Sequence, residues 1–358
     1  MKKRIRDFIL KTDDLFLPYE AYIEMALYDL NDGYYQRKKD KIGVNGDFYT
    51  SVSMSSVFGE FLGKWAGTKI KEHDLPPVFC ELGGGTGKMA NDFLKGLEQQ
   101  DPQMATEAIY YIVESSDYHR EFIEEMAAYD RRIRLLSSVK EIPLIEGVIF
   151  SNEFFDAFPV HVVVREKGKW TEAGITVKNE ELVETTRKIE NPDISSFIDK
   201  ENVPEFVKRI EVPLPMVQVY QQIVDKLVKG YLMTIDYGME RESFYVPARK
   251  NGTLRGFKNH ELIDSILEKP GEVDITSTIN FSLLKEEGRR KKLNVAYWGG
   301  QQSFLVENGL LDEFEQHAEK DPFSAISRRN RQIRQLVLGD WISDSFSVLV
   351  QSRNIENP

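Results

Sequence analysis

From residue 76 the chain alternates regularly between two kinds of segment. Short apolar runs, PVFCEL, AIYYIVE, IRLL and GVIFSN, are separated by helix-like stretches near 86–99 and 117–129. Strand, helix, strand in that order predicts parallel strands, because a parallel neighbour is reached only by a long crossover, and a helix is the usual one. The pattern holds through residue 152. Then 161–186 changes to short apolar spacing with turns at glycine and asparagine, which predicts antiparallel hairpins. MVQVYQQIVDKLVKG reads as a helix closed by Gly230, YLMTIDYG as a buried strand and SFSVLVQSRN as a last strand.

The flanking segments read differently. Residues 1–31 are helical in pattern, and Pro18 begins a helix that ends before the turn signal NDGYY. Val57, Phe61 and Trp65, spaced by four, predict a helix over 53–73. Residues 239–290 are rich in turns. The expected organisation is a helical N-terminal cap and lid at 1–74, then one α/β domain at 75–358. Inserts interrupt that domain near 161–215 and 239–290.

Composition narrows the function classes. The chain has 358 residues, 41% hydrophobic and 29% charged, as in ordinary soluble proteins. The only cysteine is Cys80, which leaves no disulfide framework and no cysteine-rich metal site. No metal is expected, and a reducing cytoplasm is the expected location. The basic start, MKKRIRDFIL, has its apolar positions broken by Arg6, Asp7 and Lys11, unlike a signal peptide. With no apolar run long enough for a bilayer, membrane insertion is not expected. A formal net charge of -11 disfavours nonspecific nucleic-acid binding. The basic clusters at Arg289 to Lys292 and at Arg328, Arg329 and Arg331 read as solvated helix faces.

The chemistry concentrates in ELGGGTGKMANDFL. Gly83, Gly85 and Gly87 form G-x-G-x-G between a strand and a helix, a backbone that turns sharply and lets a ligand approach. The dinucleotide spacing G-x-G-x-x-G fails, because Lys88 and Ala90 stand where its last glycine belongs. The phosphate-binding loop fails too, with Met89 after Gly87-Lys88 and Leu82 at the first glycine position. Glu81 is a poor neighbour for a pyrophosphate and a good one for an ammonium group. Glu114, ending the second strand, can accept from both hydroxyls of a ribose. A ligand with a ribose, an ammonium and no phosphate is S-adenosylmethionine. The fourth strand ends in Asn152, Glu153 and Asp156, which open into the same crevice. Glu153 and Asp156 would share one face if a helical turn followed, and Asn152 capping a helix is the plainer reading. The loop VNGDFYTS is too polar for core yet carries Phe48 and Tyr49. It reads as a lid, with Asp47 and Thr50 toward the cofactor.

Taken together, GDFYTS, ELGGGTGKMANDFL, SNEFFDAFPV, IDYG, GTLRGFKNH and PGEVDIT follow the order seen in the MidA family of S-adenosylmethionine-dependent methyltransferases, and MALYDLNDGYY is similar to its opening. The resemblance covers nearly the whole chain. The family motif usually reads G-P-G-R-G. Here it is G-G-G-T-G, which keeps the turn and drops the arginine. The resemblance implies a class I methyltransferase-like Rossmann fold, mostly parallel with an antiparallel last strand. It implies methylation of a protein arginine side chain, with a protein acceptor such as a respiratory-complex subunit. It implies a cofactor set of Asp47, Thr50, Glu81, Gly83, Gly85, Gly87, Glu114, Ser115, Ser138, Val139 and Asn152, and catalytic Asn152, Glu153 and Asp156. Asp236, Tyr237, His260 and Asp274 are candidates for the acceptor side. Two other readings stand beside it: a cofactor-binding assembly factor with little catalysis, and an NAD-dependent oxidoreductase, which the glycine spacing disfavours.

Overall fold

The alternation that starts at residue 76 becomes a parallel sheet in the structure, a computed structural model that describes residues 1–37, 55–258, 261–314, 321, 324–338 and 346–356. The chain divides into two units. The core unit comprises Tyr49–Phe154, Gln221–Gly238 and Lys285–Pro358, and the other comprises Met1–Phe48, Phe155–Tyr220 and Met239–Leu284.

The core unit contains strands β1 (Val78–Leu82), β2 (Ile109–Val113), β3 (Ile133–Leu136), β4 (Ile145–Asn152), β5 (Leu227–Met239), β6 (Asn294–Gly300) and β7 (Phe346–Arg353). They run in the order β3-β2-β1-β4-β5-β7-β6. Neighbours from β3 to β5 pair in parallel, and β7 is antiparallel to β5 and to β6. The order reverses between β1 and β4, so a crevice opens beyond the C-terminal ends of those strands, where ligands bind in such sheets. One face is filled by rings: Phe79, Phe93, Tyr110 and Phe150 are all fully buried, with Phe93 and Phe150 stacked 5.3 Å apart.

Helices α1 (Ser56–Glu72), α2 (Lys88–Gln100) and α3 (Asp117–Tyr129) belong to this unit. Helix α1 carries Gly59, Gly63 and Gly67 at spacing four, a stripe that the apolar reading overlooked. A Cβ on Gly63 would lie 2.1 Å from the Phe93 carbonyl oxygen, and one on Gly96 would lie 2.0 Å from that of Glu60. The two helix backbones therefore touch. Glu60 is fully buried there and accepts from Lys95 and Arg329, each at 2.5 Å. Helix propensity alone favours Gly96→Ala by about 1 kcal/mol. Forcing the helices apart costs about 1–3 kcal/mol. The expected result is a net loss of about 1 kcal/mol in urea unfolding, and a more stable variant would show that the helices can part freely.

Gly230 does not close a helix as expected. The helix Leu214–Lys226 ends earlier, and Gly230 lies inside β5 opposite Gly147 of β4. A Cβ on Gly230 would sit 1.9 Å from the Gly147 carbonyl oxygen, so close strand approach explains this glycine.

The other unit is built around antiparallel strands. Leu17–Pro18, Lys169–Lys178, His161–Glu166 and Arg209–Val212 are adjacent in that order, and Glu181–Arg187 pairs with Lys169–Lys178. Helices Lys2–Ile9 and Tyr19–Tyr28 bury Ile5, Ile9, Tyr22 and Leu27 with Val162, Ala173 and Ile175 of that sheet. A three-stranded sheet places Arg255–Lys258 between Glu261–Ile263 and Asp274–Thr276.

Candidate active site

β1 ends in Glu81 and Leu82, and the glycine stretch turns the chain into α2. Gly83 and Gly84 both donate to the Val113 carbonyl, at 2.8 and 3.3 Å, which ties the turn to the end of β2. Gly83, Gly85 and Gly87 all have positive φ, at 73°, 52° and 79°. They differ in what surrounds them. A Cβ on Gly83 would meet the ring of Phe154 at 2.9 Å, and one on Gly87 would meet Met126 at 2.4 Å. At Gly85 nothing among the described residues lies within 4 Å, so this glycine is open on the side where a Cβ would stand.

Glu114 follows β2 directly and is 8% exposed. Its carboxylate accepts from the Gly85 and Ser116 amides, both at 2.8 Å. The acid expected to hold a ribose therefore also holds the glycine turn. A carboxylate has about four lone-pair sites, which leaves acceptor capacity for hydroxyls. Glu81 is 5% exposed and accepts from the Tyr110 hydroxyl at 2.9 Å. Burial pushes its carboxyl up to about 8, with the Tyr110 bond opposing and nearby Glu114 adding to the rise. Tyr110 escaped the sequence reading. The signal was there, because a tyrosine buried in an apolar strand needs a partner for its hydroxyl.

Ser115 is exposed just beyond β2. Ser138 and Val139 are half-buried beyond β3, and the Ser138 hydroxyl accepts from the Lys140 amide at 3.2 Å. All three lie past the C-terminal ends of their strands, on the edge that carries the glycine turn. Asp47, Thr50 and His260 lie outside the described residues.

β4 ends at Asn152. No helical turn follows: Glu153 has φ 53°, in the left-handed region, and a bend leads into a turn beginning at Asp156. The expected shared helix face of Glu153 and Asp156 and the expected helix cap at Asn152 are therefore both absent. Left-handed backbone at Glu153 stops the strand and cannot start a right-handed helix. Instead the Asn152 side-chain amide donates to Glu153 Oε1 at 3.0 Å, and Asn152 Oδ1 is buried with no hydrogen-bond partner among the described residues. Asp236, fully buried in β5, accepts from the amides of Phe154 at 3.2 Å and Tyr237 at 2.8 Å. The Tyr237 ring lies 3.9 Å from that of Phe346.

Asp156 belongs to the other unit, 7% exposed, its carbonyl accepting from Ser277 at 2.9 Å. There too Asp274 is 4% exposed and accepts from the Tyr35 hydroxyl at 3.0 Å.

The strand order, the glycine turn and the acids after β1 and β2 define a class I methyltransferase-like fold with a cofactor crevice. The chain belongs to the S-adenosyl-L-methionine-dependent methyltransferase family whose profile matches residues 61–298. It is 28% identical to the mitochondrial protein arginine methyltransferase NDUFAF7 of Danio rerio, over 74% of this chain and 67% of that protein. Against the Mus musculus protein of the same name the identity is 28%, over 81% of this chain and 70% of that one. A crystal structure from Burkholderia thailandensis with S-adenosyl-homocysteine bound superposes with a TM-score of 0.86 at 25% identity, covering 99% of this chain and 92% of that one.

The protein is a methyltransferase with S-adenosylmethionine as its cofactor. The residues fit that group: Gly85 leaves open space at a turn that buried acids line. The expected cytoplasmic location is corrected, because the curated relatives are mitochondrial proteins. A single buried cysteine speaks to redox conditions, not to an address.

Gly85→Val tests the turn. A branched side chain would enter the open space, and its backbone would be strained at φ 52°. S-Adenosyl-homocysteine affinity should fall at least about tenfold in calorimetry, or about 1.4 kcal/mol. Unchanged affinity would remove Gly85 from the site.

Proposed function

We propose that this methyltransferase acts on an arginine side chain of a protein. The observation that carries the proposal is the end of β4, where Asn152 Oδ1, without a hydrogen-bond partner among the described residues, adjoins the Glu153 carboxylate. Asn152 Oδ1 can accept an N–H beside a carboxylate, and a guanidinium offers five N–H donors in a planar fork. The relatives named as protein arginine methyltransferases support the same substrate.

Bound in the crevice, the cofactor supplies an electrophilic methyl group on a positively charged sulfur. The chain's part is to orient the acceptor nitrogen and to take the proton it sheds. A guanidinium keeps its proton up to a pKa of about 12.5 or more, so a base must receive that proton as the new bond forms. Glu153 is assigned this role, Asp156 is a separate catalytic assignment, and Asn152 orients the acceptor through Oδ1. Glu81 is assigned the cofactor's ammonium and Glu114 its ribose hydroxyls. Ser115, Ser138 and Val139 are assigned the edge of the nucleoside, and Asp47 and Thr50 complete the assigned cofactor set. A respiratory-complex subunit is the acceptor class we favour.

Tritiated S-adenosylmethionine, incubated with the protein and a host-cell extract, should label protein. Acid hydrolysis should release the label as methylarginine. Label recovered as methyl-lysine, or in small molecules alone, would overturn the arginine assignment. Glu114→Gln tests the ribose contact. Hydrogen bonds to a charged group contribute about 1.5–3 kcal/mol, so cofactor affinity should fall by about tenfold to a hundredfold. The loss should shrink for a 2′,3′-dideoxy analogue. Equal losses for both ligands would remove Glu114 from the ribose.

A further inference from the structure

Glu153 is a non-glycine residue held at φ 53°. Such a conformation costs about 1–2 kcal/mol, and it persists only where the surroundings impose it. The restraints are visible. β4 and β5 pair in parallel up to Asn152 opposite Ile235. One residue further, the Glu153 amide donates to the Ile235 carbonyl at 2.9 Å. One further again, the Phe154 amide donates to Asp236 Oδ2 at 3.2 Å. The Asp236 carboxylate thus takes the place of a main-chain acceptor after the ladder has ended. Its other oxygen accepts from the Tyr237 amide at 2.8 Å, which fixes the carboxylate on its own strand.

This stitch has two consequences. It directs the strained turn so that Asn152 and Glu153 meet side chain to side chain, leaving Asn152 Oδ1 as a buried acceptor without a partner among the described residues. It also holds the Phe154 ring against the glycine turn, where a Cβ on Gly83 would come within 2.9 Å of it. The Asp236 contact therefore touches both edges of the site: it holds the acceptor turn and places Phe154 beside a glycine turn that Val113 and Glu114 already fix.

We propose that Asp236 is a positioning residue for methyl transfer. It acts through the Phe154 amide, by holding Asn152 and Glu153 in the strained turn beside the glycine loop. The proposal rests on the assignment of Asn152 and Glu153 to the acceptor. An Asp236→Asn side chain of the same shape presents an oxygen to one amide and an N–H group to the other, so one bond is lost.

The first measurement needs no acceptor. In Asp236→Asn, hydrogen exchange at the Phe154 amide should accelerate at least about tenfold. S-Adenosyl-homocysteine affinity, by calorimetry, should stay within a few fold of wild type. The second measurement is tritium transfer from saturating S-adenosylmethionine to host-cell extract, in which kcat should fall about a hundredfold, as expected of a misplaced reacting group. Restoring aspartate at Asp236 should return both. Unchanged exchange at Phe154 overturns the proposal, and so does a wild-type transfer rate. A rate loss matched by equal losses of cofactor affinity and thermal midpoint also overturns it, since Asp236 would then be structural alone. A wild-type protein that labels nothing would instead sink the transfer reading, with the exchange result still deciding the clamp. If Asp236→Asn does not fold, Glu153→Gly decides. Glycine adopts a left-handed angle without help, so Asp236→Asn should fold in that background with a smaller shift of midpoint. An equal shift, or failure to fold in both backgrounds, overturns the clamp.

Discussion

Glu81→Gln should remove a pH dependence of stability of the order of 5 kcal/mol from the cofactor-free protein. Glu81 is buried in the sheet, and its carboxyl rises from 4.5 to about 8. Below pH 4.5 the folded and unfolded chains both carry the proton at this residue. Between 4.5 and 8 the unfolded chain releases it and the folded chain keeps it. Folding then binds a proton, and stability falls as pH rises, by up to about 1.4 kcal/mol per unit. Above 8 the loss is complete and the curve is flat. The glutamine variant has no such slope, so urea unfolding from pH 4 to pH 9 should give curves for the two proteins that diverge steadily. Parallel curves would mean that Glu81 titrates alike in the folded and unfolded chains.

The same residue links stability to the cofactor. If Glu81 meets the ammonium as proposed, binding requires its charged form. Between pH 5 and 7 the wild-type affinity for S-adenosyl-homocysteine should rise toward tenfold per unit, about the limit for release of one proton. An ammonium of this kind titrates at about 7.7–8.0, so the window below it isolates the carboxylate. Glu81→Gln should bind with little pH dependence in that window. A protein that tolerates a destabilising acid in its sheet without a ligand, and gains from it with one, trades stability for recognition at a functional position.

How much of this was legible in the sequence depended on the range of the interaction. The crossover pattern after residue 76 and the positive-φ glycines are local properties of chain geometry, and short stretches suffice to read them. Glu81 and Glu114 could be placed at strand ends by counting. Their partners could not. Tyr110 reaches Glu81 and Gly85 reaches Glu114 only once parallel register is set, and register depends on contacts distant in sequence. The Gly59–Gly63–Gly67 stripe was visible as spacing, but its meaning required knowing that α2 lies against it. Glu153 was misread for a related reason. Acids following an asparagine suggest a helix start, and nothing local announces that β5 will hold this residue in a left-handed turn. Asp236 read only as a candidate for the acceptor side. Its importance comes from an amide in another strand's turn, 82 positions away in the chain.

Glu153→Gln and Asp156→Asn should each transfer methyl at least about a hundredfold more slowly than wild type, or about 2.7 kcal/mol of barrier, while binding S-adenosylmethionine within a few fold. Both substitutions keep shape and remove charge. Glutamine retains an oxygen for the Asn152 side-chain amide, which donates to Glu153 Oε1 at 3.0 Å, so the turn should survive. Asp156 lies past the turn in the chain, and its main-chain carbonyl, which accepts from Ser277, is untouched by a change of side chain. What each variant loses, on the proposed assignment, is a negative charge that draws the guanidinium forward and disperses the positive charge while the proton leaves. That contribution appears only as the transition state forms, so it should lower kcat and leave cofactor affinity in place. The measurement is a single-turnover rate with saturating tritiated cofactor and extract protein as acceptor, alongside calorimetry with the cofactor alone. Loss of cofactor affinity in Glu153→Gln would move that carboxylate to the cofactor's side of the crevice. Wild-type rates in both variants would make the acids structural and leave catalysis to orientation through Asn152. A slow Glu153→Gln beside a fast Asp156→Asn would assign the proton to Glu153 alone.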